Sequence, residues 1–358
     1  MLKKAAALLL VCAGMVAGVG CGTTTSKFLY AAIPGSNEIV AYREDPNSGA
    51  LTQLVGSPIT AGQAVQALAL HPSGKYLYAA NSGAAPTGTV SKFLVASQGN
   101  ITQATTVNVG TAPTLLAMDP SGSFLYVGNA GSFDVSVLSI DSSGTLAPVN
   151  QSGGGTSAPI GMSPLNMALS PSGKTLFITG QATVGEGTIE AFPVTGGQLG
   201  APVVSATGNT PYGLAIDSTG AHLYTANKID NSISAFTINA DNSLTLISTT
   251  ADTSTGPVSL FIDKSGKYLY VANSQSSGNL SAFSIGTDGS ITLLASSPFA
   301  TGSQPSFIAG DSTGNYLFVG NQSSPVIQSF SLATSTGTLT SVSTYSVPAT
   351  PTSIVVSH

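Results

Sequence analysis

Lys264-Ser-Gly-Lys-Tyr-Leu-Tyr-Val-Ala-Asn273 reads as a turn followed by a short apolar strand that ends on Asn. The phrase returns as Pro72-Ser-Gly-Lys-Tyr-Leu-Tyr-Ala-Ala-Asn81, Pro120-Ser-Gly-Ser-Phe-Leu-Tyr-Val-Gly-Asn129, Pro171-Ser-Gly-Lys-Thr-Leu-Phe-Ile-Thr-Gly180, Ser218-Thr-Gly-Ala-His-Leu-Tyr-Thr-Ala-Asn227 and Ser312-Thr-Gly-Asn-Tyr-Leu-Phe-Val-Gly-Asn321. A seventh copy, Phe28-Leu-Tyr-Ala-Ala32, lacks the turn. The aromatic that closes each Leu-aromatic pair falls at 30, 78, 126, 177, 224, 270 and 318, with spacings of 48, 48, 51, 47, 46 and 48. A period near 48 residues holds four short strands and their turns, which is one blade of a β-propeller.

The remaining strands follow from this one. Ahead of each turn lies a short, almost wholly apolar strand a, such as Val65 to Leu70 or Tyr212 to Ile216, as expected of the innermost strand packed between neighbouring blades. The repeated phrase is strand b. Strand c alternates, as in Ile233-Ser-Ala-Phe-Thr-Ile238, and a turn rich in Gly or Asn leads to a polar outer strand d. The first copy has no strand a before it, whereas the chain finishes on Thr350-Pro-Thr-Ser-Ile-Val-Val-Ser357, which resembles the strand a of Thr111 to Met118. Two stacked sandwiches would not explain a strand missing at one end and spare at the other. The prediction is an all-β fold over residues 27–358: a seven-bladed β-propeller, four antiparallel strands per blade, the first blade closed by the C-terminal strand.

Residues 1–20 read as an export signal, with Lys3 and Lys4 ahead of an apolar run from Ala5 to Val19 that is short for a membrane span. Gly18-Val19-Gly20-Cys21 resembles a bacterial lipobox, with Gly18 where such boxes usually carry Leu. Lipidation of Cys21 is expected, ordinary signal cleavage nearby being the alternative, with residues 21–26 as a short linker. Cys12 lies in the signal, so the folded domain has no disulfide and no thiol nucleophile.

Charged residues make up 7% of the chain, against about a quarter in an ordinary soluble domain. Arg43 is the one arginine, and Lys and Arg nowhere cluster as a nucleic-acid partner would require. No phosphate loop and no metal-spaced set of His and Cys is present, so no cofactor and no metal are expected.

Tyr126-Val-Gly-Asn129, Tyr224-Thr-Ala-Asn227 and Tyr270-Val-Ala-Asn273, each behind a Pro-x-Gly or Ser-x-Gly type turn, resemble the Tyr-Val-Thr-Asn repeat of bacterial surface propellers. They are similar to the lactonase family of seven-bladed propellers, which includes a 6-phosphogluconolactonase and a carboxymuconate cyclase. The resemblance spans Lys27 to His358. It implies a site at the channel mouth built from Arg, His and Glu, with a Pro-Arg-His run leading into strand a. The matching segments here are Pro113-Thr-Leu115, Pro164-Leu-Asn166, Pro211-Tyr-Gly213, Pro257-Val-Ser259, Pro305-Ser-Phe307 and Pro351-Thr-Ser353. None carries Arg or His, although lactone opening needs an activated water and a donor for the oxyanion, and a phosphorylated substrate needs cationic clamps.

The loops leading into strand a and those joining b to c share the channel face. Charged residues there include Asp134, Glu186, Glu190, Lys228 and Asp230. Glu190 occupies a strand c slot held by Ser91, Ser136, Ser234 and Ser281 elsewhere. A carboxylate there could act as a general base or anchor a ligand, or be a solvated edge residue pairing with a neighbour. Lys228 and Asp230, two apart, are expected to pair with each other. Tyr212 could stack on a sugar or pack in the core. His71, Asp119, Asp217, Asp263 and Asp311 end strand a as turn initiators, and the Asn residues ending strand b are expected to cap it. Two functions follow: a monomeric, envelope-anchored module binding a small molecule, saccharide or envelope protein, or a lactonase-like hydrolase opening a sugar lactone.

Overall fold

The structure is a computed structural model that describes residues 26–83, 86–183, 185–250 and 254–357; the side chains of 182 and 183 are left aside. The signal and Cys21 therefore lie outside the described residues. The described chain forms seven antiparallel sheets and no helix. Strands a comprise 65–70, 113–118, 163–169, 211–216, 257–262, 305–310 and 353–356, the last paired antiparallel to Lys27–Ile33. Blade 1 thus takes its inner strand from the C-terminus, and the ring closes as the repeat requires. The outer strand is unbroken in blades 2, 5 and 7 and split in two in blades 1, 3, 4 and 6.

The Leu-aromatic pair explains why the sheets stand as a ring. Successive side chains of a strand point to opposite faces, so Leu77 packs with Phe28 and Tyr30 of blade 1 while Tyr78 packs with Leu125 and Val127 of blade 3. Each of seven apolar clusters spans two adjacent blades in this way. The tyrosine hydroxyl reaches further still. Those of Tyr30, Tyr78, Tyr224 and Tyr270 donate to the carbonyls of Gly99, Gly144, Gly289 and Gly337, at 2.8, 2.8, 3.0 and 2.8 Å, in the c–d turn of the next blade. Gly337 has φ +73°, and a Cβ there would strike the ring of Tyr268. Its small size and left-handed backbone are both required.

The Asn residues that end strand b do more than cap it. They are buried, and Asn81, Asn129, Asn227 and Asn273 donate Nδ2 to Ser91, Ser136, Ser234 and Ser281 at 3.0, 3.0, 2.9 and 2.8 Å. Glycine lies over this side chain in the loop before strand a: a Cβ at Gly62, Gly110 or Gly208 would collide with Asn81, Asn129 or Asn227. The turn-initiating residues behave as expected, Asp311 Oδ1 accepting from the backbone N–H of Gly314, Asn315 and Tyr316.

Candidate functional site

In blades 2 to 7 the ladder between strands a and b slips by one residue just after the strand begins. A bulge of this kind re-aims the extra side chain. The residues so displaced are Gln66, Thr114, Leu165, Tyr212, Val258 and Ser306. Together with Thr352 of blade 1 they line a cavity of about 400 Å³ on the propeller axis. The loop residue two positions before the bulged one has φ between +49° and +56° at Ala64, Ala112, Thr210 and Gln304, and +70° at Gly256. A strained backbone recurring in blade after blade is architectural: it sets the bulge.

Around the ring the seven side chains divide by polarity. Blades 7, 1, 2 and 3 present Ser306, Thr352, Gln66 and Thr114; blades 4, 5 and 6 present Leu165, Tyr212 and Val258. Deeper walls are apolar, with Leu68, Leu116, Met167, Leu214, Leu260 and Ile308. Part of the polar set is tied to backbone carbonyls of the surrounding strands. Thr352 Oγ1 donates to the Gln66 carbonyl at 2.8 Å, Asn166 Nδ2 to that of Tyr212 at 2.8 Å, and Ser306 Oγ to that of Gly320 at 3.2 Å. Among the described residues, the side chains of Thr114 and Gln322 and the Tyr212 hydroxyl make no such bond and stay available to a ligand. Among the described residues, no Asp, Glu, His, Lys, Arg or Cys lines the cavity.

The charged residues expected at the channel are dispersed. Glu190 is buried in the body of blade 4, where its Oε1 accepts the Gly161 N–H at 3.0 Å. Ser136 accepts the Gly110 N–H at 3.2 Å and Gln328 the Gly302 N–H at 3.0 Å from the same slot. In blade 4, whose strand b runs Thr175–Thr183, Gly180 stands where blades 2, 3, 5, 6 and 7 carry Asn, and the longer Glu takes up the Gly161 contact. It is therefore not a solvated edge residue, and it is not part of the lining of the axial cavity. Burial pushes its carboxyl up from the usual range, opposed by the Gly161 N–H, and Oε2 has no partner among the described residues. Asp134 is held by Asn129, Ser132 and Ser157 at 2.7, 3.0 and 2.9 Å, a structural clamp.

Lys228 and Asp230 do not pair. Asp230 Oδ2 accepts the Asn209 N–H at 2.7 Å and faces a groove of about 360 Å³ between blades 4 and 5, which it shares with exposed Glu186. Lys228 turns the other way, its ammonium 4.6 Å from the centroid of the Tyr212 ring. Tyr212, 37% exposed, is on the cavity wall and not in the core, because the bulge lifts it out of the ladder. The ring of bulged residues escaped the sequence reading, although its signal was present: each follows the Pro, or Val65, that opens strand a. His222 pairs with Asp217 at 2.7 Å, and Arg43 is exposed at the far end of strand c, both on the face opposite the mouth.

A seven-bladed ring with a shallow, uncharged, half-apolar cup on its axis is the class defined by this fold and site. The sequence profile of the family described as lactonase, 7-bladed beta-propeller, matches residues 21–179, 83–212, 175–306 and 279–356, and the chain belongs to that family. Among solved structures it is similar to a candidate 6-phosphogluconolactonase of Bacteroides fragilis (22% identity, TM-score 0.81, 94% of this chain and 99% of that one). It is also similar to one of Bacteroides uniformis (20%, 0.80, 93% and 99%) and to the periplasmic gluconolactonase of Pseudomonas aeruginosa (19%, 0.77, 93% and 99%). At these identities the likeness is one of fold. No curated protein matches the chain significantly.

Proposed function

We propose that this propeller binds a small saccharide-type ligand at the channel mouth and serves as a recognition module of the cell envelope. The observation that carries the reading is the split ring: Tyr212, flanked by Leu165 and Val258, opposite Gln66, Thr114 and Thr352. A pyranose has the same two-sidedness, an apolar C–H face and a rim of hydroxyls, and a mostly apolar pocket with a few placed polar groups is the usual design of a small-molecule site. The lining offers no group to activate water and no cation to clamp a phosphate, which favours binding over turnover.

A second reading, hydrolysis of an uncharged sugar lactone, draws support from family membership and from the gluconolactonase of similar fold. One experiment separates the two. The protein is titrated with methyl β-D-glucoside by calorimetry and assayed with glucono-1,5-lactone and 6-phosphogluconolactone. Binding without turnover above buffer is the expected result. Lactone hydrolysis that disappears in Tyr212→Ala would replace the binding reading by the hydrolytic one.

We also propose that the protein is exported and held by a lipid on Cys21. Lys3, Lys4 and the apolar run before Cys21 support this. Lys27 begins strand b on the face opposite the mouth, so an anchor a few residues upstream would leave the cup facing away from the membrane. Radiolabelled palmitate is expected in the wild type and absent from Cys21→Ala; equal labelling would refute the anchor.

A further inference from the structure

We infer that Lys228 and Tyr212 together read a single carboxylate carried on a sugar ring, so that the mouth selects monoanionic sugar acids over neutral sugars and over sugar phosphates. The inference rests on the saccharide reading above and narrows it to a ligand class.

Lys228 is the one cation that the described residues place on the mouth face. Lys75, Lys174, Lys264 and Lys267 lie in a–b turns and Lys27 and Arg43 at the opposite ends of their strands, while Lys92 reaches the Ser143 carbonyl, 2.6 Å away, in a c–d turn. The loop that carries Lys228 separates charges of opposite sign. Asp230 and Glu186 face the groove between blades 4 and 5, which shares no lining residue with the axial cavity. Lys228 faces inward over Tyr212, a wall of that cavity. No ion pair to Lys228 occurs among the described residues.

An ammonium over an aromatic face at an exposed site is worth only about 0.5–1 kcal/mol, so a carboxylate that arrives with the ligand competes well for it. A pyranose packed on the part of the Tyr212 ring that the ammonium leaves open would bring a carboxylate at its edge toward Nζ. One point charge suits one carboxylate. A phosphate dianion gains most from several donors in a fixed guanidinium fork, and no Arg is among the described residues of the cavity wall.

The test compares methyl β-D-glucuronide, methyl β-D-glucoside and glucose 6-phosphate by calorimetry at low salt, with Lys228→Gln and Lys228→Arg beside the wild type. The glucuronide is expected to bind roughly five-fold tighter than the glucoside, as for one partly exposed charge pair, with the advantage shrinking as salt is added. Lys228→Gln should bring the two sugars within two-fold of each other, and Lys228→Arg should keep the preference. Equal affinities in the wild type, a preference that survives Lys228→Gln, or tighter binding of glucose 6-phosphate than of the glucuronide would each overturn the inference while leaving the saccharide reading intact. Failure of every sugar to bind would remove both.

Discussion

Strand b and the bulged residue of strand a belong to the same ladder, yet they differ in how they vary around the ring. In strand b the Leu-aromatic pair is nearly the same in all seven blades, and both side chains are buried between neighbours. At the axial position, bulged in blades 2 to 7, the seven residues are Thr352, Gln66, Thr114, Leu165, Tyr212, Val258 and Ser306, with Thr and Tyr, Gln and Leu in equivalent places. A position that must fit the next copy of itself is held to one solution. A position that faces the axis is not held to the packing of the next blade in this way, and each blade can contribute something different. In this propeller the repeated pair holds neighbouring blades together, and the axial position varies from blade to blade.

The largest test of that contrast acts on the repeated position. Tyr270 is fully buried and its hydroxyl holds the next blade through Gly337, so Tyr270→Ala is expected to cost about 3–5 kcal/mol in urea unfolding. Tyr270→Phe, which strands only the hydrogen bond, should cost about 1 kcal/mol. A loss below about 1 kcal/mol for the alanine variant would break the claim that this position holds the ring together.

Where the ring closes, the seam departs from the repeat and becomes sensitive to pH. Glu44 lies opposite Lys27 in the first hairpin, and Lys27 Nζ is 3.9 Å from Asp311 Oδ2 of blade 7. Burial, with Asp311 adding to it and Lys27 opposing, pushes the Glu44 carboxyl from 4.5 to about 7. The folded state therefore keeps a proton that the unfolded chain releases, and stability falls as pH rises from 4.5 to about 7, by about 3 kcal/mol at most. Glu44→Gln should flatten that part of the stability curve; an unchanged slope would show that Glu44 is not the group that titrates.

Glu190 gives a smaller effect. Gln328 already makes the equivalent bond in blade 7, so Glu190→Gln removes a buried charge and keeps the Gly161 contact. It should stabilise by about 1 kcal/mol above neutral pH and alter sugar affinity by less than two-fold. A variant that folds normally and loses the ligand would return Glu190 to the site.

The same contrast explains what could be read in advance. The Leu-aromatic phrase fixes strand b by its period and by burial on both faces, and the unpaired strands at the two ends give the closure. Asn129 and its equivalents were visible as a repeat, but their reach to Ser136 and its equivalents depends on a glycine packed over them in another loop. The chemistry of the mouth was harder still. A bulge adds a residue without altering the apolar pattern of the strand, so the sequence left Tyr212 open between stacking on a sugar and packing in the core, and the odd charge at Glu190 drew attention to a slot that turns inward. Lys228 and Asp230 are close in sequence, but the loop carries them to opposite sides of a blade edge, one toward the axis and one toward the groove.

The most direct measurement of the central claim is the calorimetric affinity of Tyr212→Ala for methyl β-D-glucoside, taken with its melting curve. A position that serves only the ligand should lose at least about ten-fold in affinity, near 1.4 kcal/mol, and melt within about 2 °C of the wild type. Unchanged affinity, or a collapse in melting temperature, would place Tyr212 with the structural repeat and contradict the account.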